Sequence, residues 1–342
     1  MFEKTLFGRI FQNFGLHLGT RDDFLVDSYS IDKDGDEKKS EQKQELIWVN
    51  IASIFFIHAY AVYATLTYFP ELTWSLFLWG WFTCVLGGLG VTGGAHRLWS
   101  HKSYKAKLPF QILLLFCFTL SGQNSMYDWV RDHRVHHKFS ETDADPHNVK
   151  RGFFFSHVGW LMMRKHPEVY EKGKTVDMSD IEKDPLLAFH RKYFIPLKII
   201  IAFVLPTIIP PLVWGASWKM SFIVVCVVKY VILLNCTWSV NSAAHIWGNR
   251  PFDKTIKPAE NILVAICSLG EGWHNYHHVF PWDYKAAEIG AYSTNWTTFI
   301  IDLAAKLGQA YDLKHPSEDL VLETAKKRGD GTWLCHAEVK YE

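Results

Sequence analysis

Four stretches of the chain are apolar over about 20 residues each, and they dominate its hydrophobic pattern. The first two cover about residues 47–69 and 74–94, and the last two cover about 193–214 and 218–240. A helix that rises about 1.5 Å per residue needs about 20 residues to cross the roughly 30 Å of hydrocarbon in a bilayer. The pattern therefore predicts an all-α integral membrane protein with four transmembrane helices in two hairpins.

The charges between these stretches predict the orientation of the hairpins. The two hairpin turns, residues 69–74 and 210–218, contain no Lys or Arg, whereas the interval 95–192 is rich in both. By the positive-inside rule, the turns face the lumen or the exterior. We expect the interval, both termini and the polar region 246–331 to lie in the cytosol, where 95–192 and 246–331 form a helical cap.

Two shorter stretches need separate interpretation. The apolar residues 108–120 are too few to span, so we expect them to lie in the interface or inside the cap. Gly88, Gly90 and Gly93 match the GxGxxG pattern of dinucleotide sites. They end an apolar helix instead of following a strand, so close helix packing is the better interpretation.

The composition agrees with a membrane part joined to a large aqueous part. Aromatic residues are 15% of the chain, 15 of them tryptophan, and charged residues are 21%. Tryptophan is enriched where membrane proteins meet the lipid–water interface. A formal net charge of +1 gives no electrostatic case for binding nucleic acid. The six cysteines include no CxxC pair that would indicate a thiolate metal site.

Nine of the 17 histidines recur in four short groups on the predicted cytosolic side. In each HxxHH box, positions i, i+3 and i+4 share one helix face. In HxxxxH the two residues are five apart and cannot share a face of an α-helix, so we expect the helix to end or bend between them. The groups are His96 and His101; His133, His136 and His137; His245; and His274, His277 and His278.

Nine neutral imidazoles without a carboxylate are too many for one metal, so two metals are the natural count. Imidazole suits iron, copper, zinc and nickel, whereas structural zinc takes four ligands and usually includes cysteine. A histidine-rich dimetal centre at a membrane face therefore indicates redox chemistry. Asn241 lies four residues before His245, on the same helix face.

The remaining histidines are interpreted as structural or surface groups. The sequence "TDADPH" (142–147) is interpreted as a turn after the second box and not as a magnesium site. These histidines are His17, His58, His147, His157, His166, His190, His315 and His336.

The boxes and their surroundings closely resemble the membrane fatty acyl-CoA desaturases, in particular the animal stearoyl-CoA-type Δ9 group with an insect-like character. The stretches that carry the resemblance are "GAHRLWSHKSYKAKLP", "WVRDHRVHHKFSETDADPHN", "RGFFFSHVGW", "NSAAHIWGNRPFDK" and "GEGWHNYHHVFPWDYKAAE". We expect a membrane desaturase domain over residues 46–331. A variable cytosolic segment, 1–45, precedes it, and a C-terminal tail, 332–342, follows it.

The resemblance implies a multi-pass enzyme of the endoplasmic reticulum membrane with both termini in the cytosol. It implies two irons held by the nine histidines, with Asn241 reaching a metal through water. Electrons would come from cytochrome b5 and its NADH-dependent reductase, and O2 would be the oxidant. The product would be a cis double bond in a saturated acyl-CoA such as palmitoyl- or stearoyl-CoA, formed beside membrane lipid without a catalytic side chain beyond the metal centre.

The resemblance also implies substrate contacts, with Trp238 at the bend of an acyl tunnel. Near the far end of that tunnel, Gly80, Cys84 and Gly87 could set the chain length. The chain departs from the family pattern at Ser121 and Gly122, which replace an apolar–aromatic pair before "QN". The residues implied in CoA binding are Asn50, Asn124, Arg131, Asp132, Arg164 and Lys165.

Three hypotheses follow, in decreasing order of support. The first is a Δ9 acyl-CoA desaturase. The second keeps the fold but changes the outcome, to another double-bond position such as Δ11 or to lipid hydroxylation. The third is a membrane metal-binding or transport protein. A transporter should place polar ligands near the bilayer midplane, but only His58 lies in the middle of a predicted span.

Overall fold

The computed structural model describes residues 30–31, 37–38, 44–288 and 291–333. Within them, four helices are long and apolar enough to cross a membrane, as the hydrophobic pattern predicts. Spans 2 and 4 each continue about six residues beyond their predicted ends, and the added residues carry His96 and His245. Spans 1 to 4 are Trp48–Glu71, Trp74–Ser100, Phe194–Trp214 and Trp218–Ile246.

Each span combines an α-helix with a segment of different helical pitch. Span 1 is α1 (Trp48–Tyr68) and a 3-10 turn (Phe69–Glu71), and span 2 is α2 (Trp74–Leu89) followed by a π-helix (Gly90–Ser100). Span 3 is α9 (Phe194–Lys198), a π segment (Ile199–Val204) and α10 (Leu205–Trp214). Span 4 is α11 (Trp218–Phe222), a π segment (Ile223–Val228), α12 (Lys229–Asn241) and α13 (Ala243–Ile246).

The cap is built from short helices, and most of these begin at a polar residue that accepts a backbone N–H. The first six cap helices are α3 (Leu108–Leu120), α4 (Met126–Phe139), α5 (Phe153–His157), α6 (Pro167–Gly173), α7 (Ser179–Lys183) and α8 (Pro185–Lys192), and the last four are α14 (Ile262–Cys267), α15 (His274–Val279), α16 (Trp296–Lys306) and α17 (Glu318–Arg328). Ser125 caps α4, Asp184 caps α8, Asn261 caps α14 and Asn295 caps α16. The 3-10 turns in the cap are Val149–Arg151, Gly159–Leu161 and Tyr292–Thr294.

Two strand pairs complete the secondary structure of the described residues. β3 (Lys105–Ala106) pairs antiparallel with β4 (Ala310–Tyr311), which ties the start of the cap to its C-terminal part. β1 (Ser30–Ile31) pairs antiparallel with β2 (Glu37–Lys38). The other residues of the predicted N-terminal segment up to residue 43, His17 among them, lie outside the described residues, and so does His336.

The two hairpin turns lie at the same end of the four spans. Lys219, at the start of span 4, forms an ion pair with Glu71 in the first turn at 2.8 Å. The same ammonium group lies 4.2 Å from the ring centroid of Tyr68. Because both turns meet here, the cap and its histidines occupy the opposite end of the bundle, as the charge pattern predicts.

The glycine-rich end of span 2 packs directly on α3. A Cβ atom at Gly90 would lie 1.9 Å from the backbone nitrogen of Phe118 and 2.2 Å from the carbonyl carbon of Cys117. This contact confirms that the GxGxxG match reflects close helix packing. It also places α3 against the membrane bundle, where Leu114 and Phe118 are buried and Leu108 and Leu113 are exposed.

Three cap helices expose apolar side chains. They are α3, α14 and α16, with exposed Leu113, Leu263 and Phe299 among others. Exposed apolar patches of this kind mark membrane contact in a protein with spanning helices. We therefore expect these faces to contact the bilayer surface. Because α3 is buried on one side and exposed on the other, its place in the interface or in the cap stays a prediction.

Candidate metal centre

The π-helical end of span 2 brings the two histidines of the first box together. The backbone N–H of His101 donates to the carbonyl of His96, five residues earlier, at 3.1 Å. A π turn closes after five residues, so positions i and i+5 lie nearly above one another. The helix ends at Ser100, within the predicted interval. Its π geometry, which the spacing rule for α-helices missed, is why the rings of His96 and His101 meet 4.9 Å apart.

The nine predicted histidines converge in two adjacent groups. Each group places one ligand atom per residue within 4.8 Å of the others. The rings of His137 and His278 stack at 4.3 Å between centroids, which joins the groups. The first group is His96, His101, His133, His137 and His277, and the second is His136, His245, His274 and His278.

The distances between ring nitrogens match those of ligands around a common metal. The Nε2 atom of His277 lies 3.0 Å from those of both His96 and His137. The Nε2 atom of His274 lies 3.0 Å from that of His245 and 3.1 Å from that of His278. Two nitrogens bound at about 2.0–2.1 Å with bond angles of about 90–109° are about 2.9–3.4 Å apart. The residues therefore fit a centre of two metals with imidazole ligands.

Six of the ligand histidines outside the spans are held in their neutral form. Burial lowers the pKa of His101, His133 and His137 well below the usual value, and the neighbouring rings lower it further. The same causes act on the pKa of His274, His277 and His278. A neutral imidazole keeps a lone pair free for a metal.

Two buried carboxylates hold ligand rings from behind. Asp145 Oδ1 lies in hydrogen-bond contact with His136 Nδ1 at 2.9 Å, and Glu271 Oε2 lies 2.8 Å from His96 Nδ1. Burial alone would raise the pKa of both acids. The nearby His136 lowers the pKa of Asp145 to about 2, and Arg97 lowers that of Glu271 to about 2. Ionised carboxylates in this position fix the orientation of metal-binding histidines.

Arg97 connects Glu271 to the rest of the cap through an ion pair and several hydrogen bonds. Its side chain is 1% exposed, and its Nη2 atom lies 2.8 Å from Glu271 Oε1. The guanidinium also donates to the carbonyl of Tyr284 and to the side chains of Asn295 and Thr298. This network locks the first histidine box against the segment that carries the third.

Two cavities meet at the centre, on either side of span 4. The span 1 cavity, which borders Asn50, Ile54 and His58, has a volume of about 430 Å³. The span 2 cavity, which borders Trp81, Cys84 and Val85, has a volume of about 310 Å³. Both are lined by Trp129, His133, Thr237 and Asn241. A hydrogen-bonded chain fixes this junction, since Trp129 donates to Gln123 at 3.0 Å and Gln123 donates to Thr237 at 2.8 Å.

The predicted substrate contacts are divided between the span 1 cavity and its edge. Asn50, Asn124, Asp132 and Trp238 line the cavity. Arg131 lies 3.1 Å from Asp132 Oδ1, and Lys165 pairs with Oδ2 of the same carboxylate. Burial raises the pKa of Asp132, but the two cations outweigh this and lower it. The structure does not bring Arg164 into this cluster, since it is exposed and pairs with Glu45 at 2.8 Å.

A polar network that was not predicted surrounds Trp238. The side-chain NH2 of Asn235 donates to His58 Nε2 at 2.9 Å, and the side-chain oxygen of Asn235 lies 3.1 Å from Nε2 of His157. The other nitrogen of His157 lies 2.8 Å from Ser242 Oγ. The ring of His58 stacks on Trp238 at 5.9 Å, so the network holds this indole at the cavity wall. Nothing in the local spacing of these residues indicates that they meet.

Several predicted assignments change once the chain is folded. "TDADPH" forms the predicted turn, in which Asp145 accepts from the N–H groups of Glu141 and His147, but Asp145 also supports a ligand ring. His147, interpreted as a structural or surface group, is buried and lies 3.5 Å from the same carboxylate. Of the three residues proposed near the tunnel end, Cys84 lines the span 2 cavity. A Cβ on Gly80 or Gly87 would instead meet Val224 or Leu233 of span 4, at 2.7 and 2.8 Å, so these glycines allow helix packing.

The departure at Ser121 and Gly122 also has a structural reason. Gly122 lines the span 1 cavity and has a φ of 71°, a conformation that favours glycine. A Cβ at this position would lie 2.9 Å from the ring of Tyr230. The space that a bulkier residue would need is therefore taken up by Tyr230.

Comparison with known proteins agrees with this geometry. The sequence model of the fatty acid desaturase family matches residues 72–287. The chain is 50% identical to an acyl-CoA Delta-9 desaturase of Acheta domesticus over 85% of this chain and 81% of that protein. It is 51% identical to an acyl-CoA Delta(11) desaturase of Spodoptera littoralis, over 86% and 87%. It is 48% identical to the stearoyl-CoA desaturase of Homo sapiens, over 95% and 92%.

Proposed function

The chain belongs to the fatty acid desaturase family, and on this premise we propose that it inserts a cis double bond at Δ9 into saturated palmitoyl- or stearoyl-CoA. The observation that carries the proposal is the junction of two cavities at two groups of convergent histidines. This arrangement lets a bound chain pass beside a redox centre. It favours a desaturase over a metal transporter, because the ligands lie at the cap end of the spans.

We propose that the nine histidines hold two irons, with Asn241 near them at the junction. Two irons held there would supply, from O2, the strong oxidant that an unactivated CH2–CH2 unit requires. The balance is one O2, two electrons and two protons taken up, and two waters and one double bond formed. The chain's own contribution is to orient the rings through Glu271 and Asp145 and to keep the junction enclosed.

The span 1 cavity is the proposed site of the thioester end of the substrate. Arg131 and Lys165 both pair with Asp132, and Arg131 also lies 3.3 Å from Asp128, so the cluster places two cationic donors beside the cavity with their charge balanced by two carboxylates. Such donors suit the phosphates of CoA. The amide of Asn50, which donates to the carbonyl of Leu161 at 2.8 Å, fixes span 1 to the cap at the same place.

The junction is the proposed determinant of double-bond position. If the CoA end is held at a fixed place, the carbons that reach the junction are always the same number from the carboxyl end. The chain of Trp129, Gln123 and Thr237 makes the width and direction of the passage rigid. Relatives of nearly equal identity carry Delta-9 and Delta(11) in their names, so the position is a proposal that experiment must decide.

The orientation and partners follow from the same proposal. We place the cap and both termini in the cytosol and the hairpin turns in the lumen of the endoplasmic reticulum. Cytochrome b5, reduced by its NADH-dependent reductase, would deliver the electrons at the cap. The desaturase domain would cover residues 46–331, which includes the whole family match.

Expression in yeast that lacks its own Δ9 desaturase tests the proposal. We expect the protein to restore growth without added unsaturated fatty acid, because palmitoyl and stearoyl chains gain a Δ9 double bond. Mass spectrometry of derivatised lipids locates that bond. Growth with Δ11 or hydroxylated products instead of Δ9 products would contradict the Δ9 proposal, and the empty vector is the control.

A further inference from the structure

Lys198 brings a cationic side chain of a membrane span to the wall of the span 1 cavity. It is the fifth residue of span 3, and Gly122 and Tyr230 line the same cavity. An ionisable side chain within a span is costly to bury, and it is retained mostly where it faces a partner or a polar cavity. The position of Lys198 therefore indicates a binding site for a group of opposite charge.

The charge of Lys198 is not balanced by a carboxylate within the part of the chain that the structure describes. Its Nζ atom lies 5.7 Å from the ring centroid of Phe194, and no ion pair joins it to a described acid. Among the described residues that line the cavity, the carboxylate is Asp132, which already pairs with Arg131 and Lys165. The cavity thus offers a cation whose charge an occupant can neutralise.

The helical pitch of span 3 turns this lysine towards Gly122. The π segment Ile199–Val204 begins directly after Lys198, and a π turn places residue i+5 nearly above residue i. Phe203 is five residues after Lys198, so the two side chains share one face of span 3. A Cβ at Gly122 would lie 3.4 Å from the ring of Phe203, so this face packs beside Gly122. Lys198 therefore adjoins the wall that Gly122 and Tyr230 form.

The span 1 cavity reaches the lipid-facing surface at the depth of Lys198. Ser53 of span 1 lines the cavity and is exposed. Ser53 is the sixth residue of its span and Lys198 the fifth, so both lie about 6–8 Å from the cap ends of their helices. In a hydrocarbon core about 30 Å thick, this depth is close to the boundary with the headgroups. An anion that enters past Ser53 therefore belongs to a lipid and not to a water-soluble metabolite.

We propose that Lys198 makes the span 3 side of this cavity a site for the anionic head of a long-chain lipid, either the carboxylate of a free fatty acid or the phosphate of a phospholipid. The ammonium group donates charge-assisted hydrogen bonds to the anion. The hydrocarbon tail extends past Ser53 into the bilayer, where it keeps its apolar surroundings.

The consequence for turnover rests on the proposed function, which assigns the thioester end of acyl-CoA to the same cavity. A lipid anion bound at Lys198 would then compete with acyl-CoA. The competition raises the apparent KM for acyl-CoA and leaves kcat unchanged, because a saturating substrate displaces the lipid.

The test is native mass spectrometry of the purified full chain, titrated separately with oleate, dioleoyl phosphatidate and oleyl alcohol. Lys198→Met keeps an unbranched side chain but removes the charge. It should weaken binding of the anionic lipid about tenfold or more, because a hydrogen bond to a charged group is lost. Oleyl alcohol has the tail of oleate without its charge, so it should bind equally to both proteins. Whichever of oleate and phosphatidate depends on Lys198 identifies the source of the anion.

Lys192→Met is the matched control. Lys192 lies six residues before Lys198 and is exposed beside the ring of Tyr193, at 5.2 Å, but it does not line the cavity. This variant should bind every lipid as the wild type does, and Lys198→Arg, which keeps the charge, should retain anion binding even if Lys198→Met misfolds.

The same affinity of the wild type and Lys198→Met for both oleate and phosphatidate would overturn the site, as would loss of anion binding in Lys198→Arg. In the wild type, the anion that binds should raise the KM for stearoyl-CoA. The binding titration needs no turnover, so absence of desaturation would count against the proposed function and leave the titration decisive for the lipid site.

Discussion

Replacing His274 with alanine is expected to abolish desaturation while the protein still reaches the membrane. His274 is 2% exposed, and its Nε2 atom lies about equally close to those of His245 and His278, at 3.0 and 3.1 Å. Its loss leaves three imidazoles in the second group. Mutation of a group that only hydrogen-bonds to a metal ligand typically lowers metal affinity or activity about 10–100-fold. Loss of a ligand itself should therefore lower activity roughly 100-fold or more.

The measurement combines product formation with metal content of the purified variant. His190→Ala is the matched control, because His190 is 1% exposed but contacts Thr119 and belongs to neither ligand group. The control should keep its metals. Full activity or unchanged metal content in His274→Ala would remove the segment 274–278 from the centre.

Replacing Arg97 with leucine is expected to destabilise the cap strongly. The variant leaves Glu271 ionised and buried without its guanidinium partner, and it removes the donors to Tyr284, Asn295 and Thr298. Breaking a buried ion pair by removing one partner typically costs about 3–5 kcal/mol. The melting temperature in detergent should fall by up to roughly 10 °C, because about 2–4 °C per kcal/mol holds for 150–250 residues and the shift becomes smaller for a longer chain.

A double variant separates the ion pair from simple loss of volume. In Arg97→Leu with Glu271→Leu, no charge is left unpaired, so part of the lost stability should return. Lys327→Leu is the exposed control, because its pair with Glu323 is about 70% exposed on both sides and should contribute under about 1 kcal/mol. If Arg97→Leu kept the melting temperature of the wild type, this would contradict the proposed role of Arg97 in stabilising the cap.

The spans and the ligand set could be predicted because each depends on a local signal. Length and apolar composition define a spanning helix, and repeated HxxHH boxes define ligand faces before any fold is known. The pairing of His96 with His101 was harder, because spacing on an α-helix separates residues that a π turn brings together. The turn at Asp145 was readable from its sequence, but its contact with His136 was not.

The supporting groups could not be predicted because they come together only in the folded chain. Glu271 precedes His274 by three residues, yet its carboxylate lies against His96 of the first box. His58, Asn235 and His157 come from span 1, span 4 and the cap, and they meet only around Trp238. The same is true of the two cavities, whose walls combine residues from both hairpins.

The central claim is that the two histidine groups form one dimetal centre for desaturation. The most direct measurement is the metal content of the active protein, purified in detergent without added metal and analysed by elemental mass spectrometry. We predict two iron atoms per chain in preparations that desaturate acyl-CoA, with activity proportional to iron. Active protein that contains a single metal ion, or two of a metal other than iron, would contradict the account.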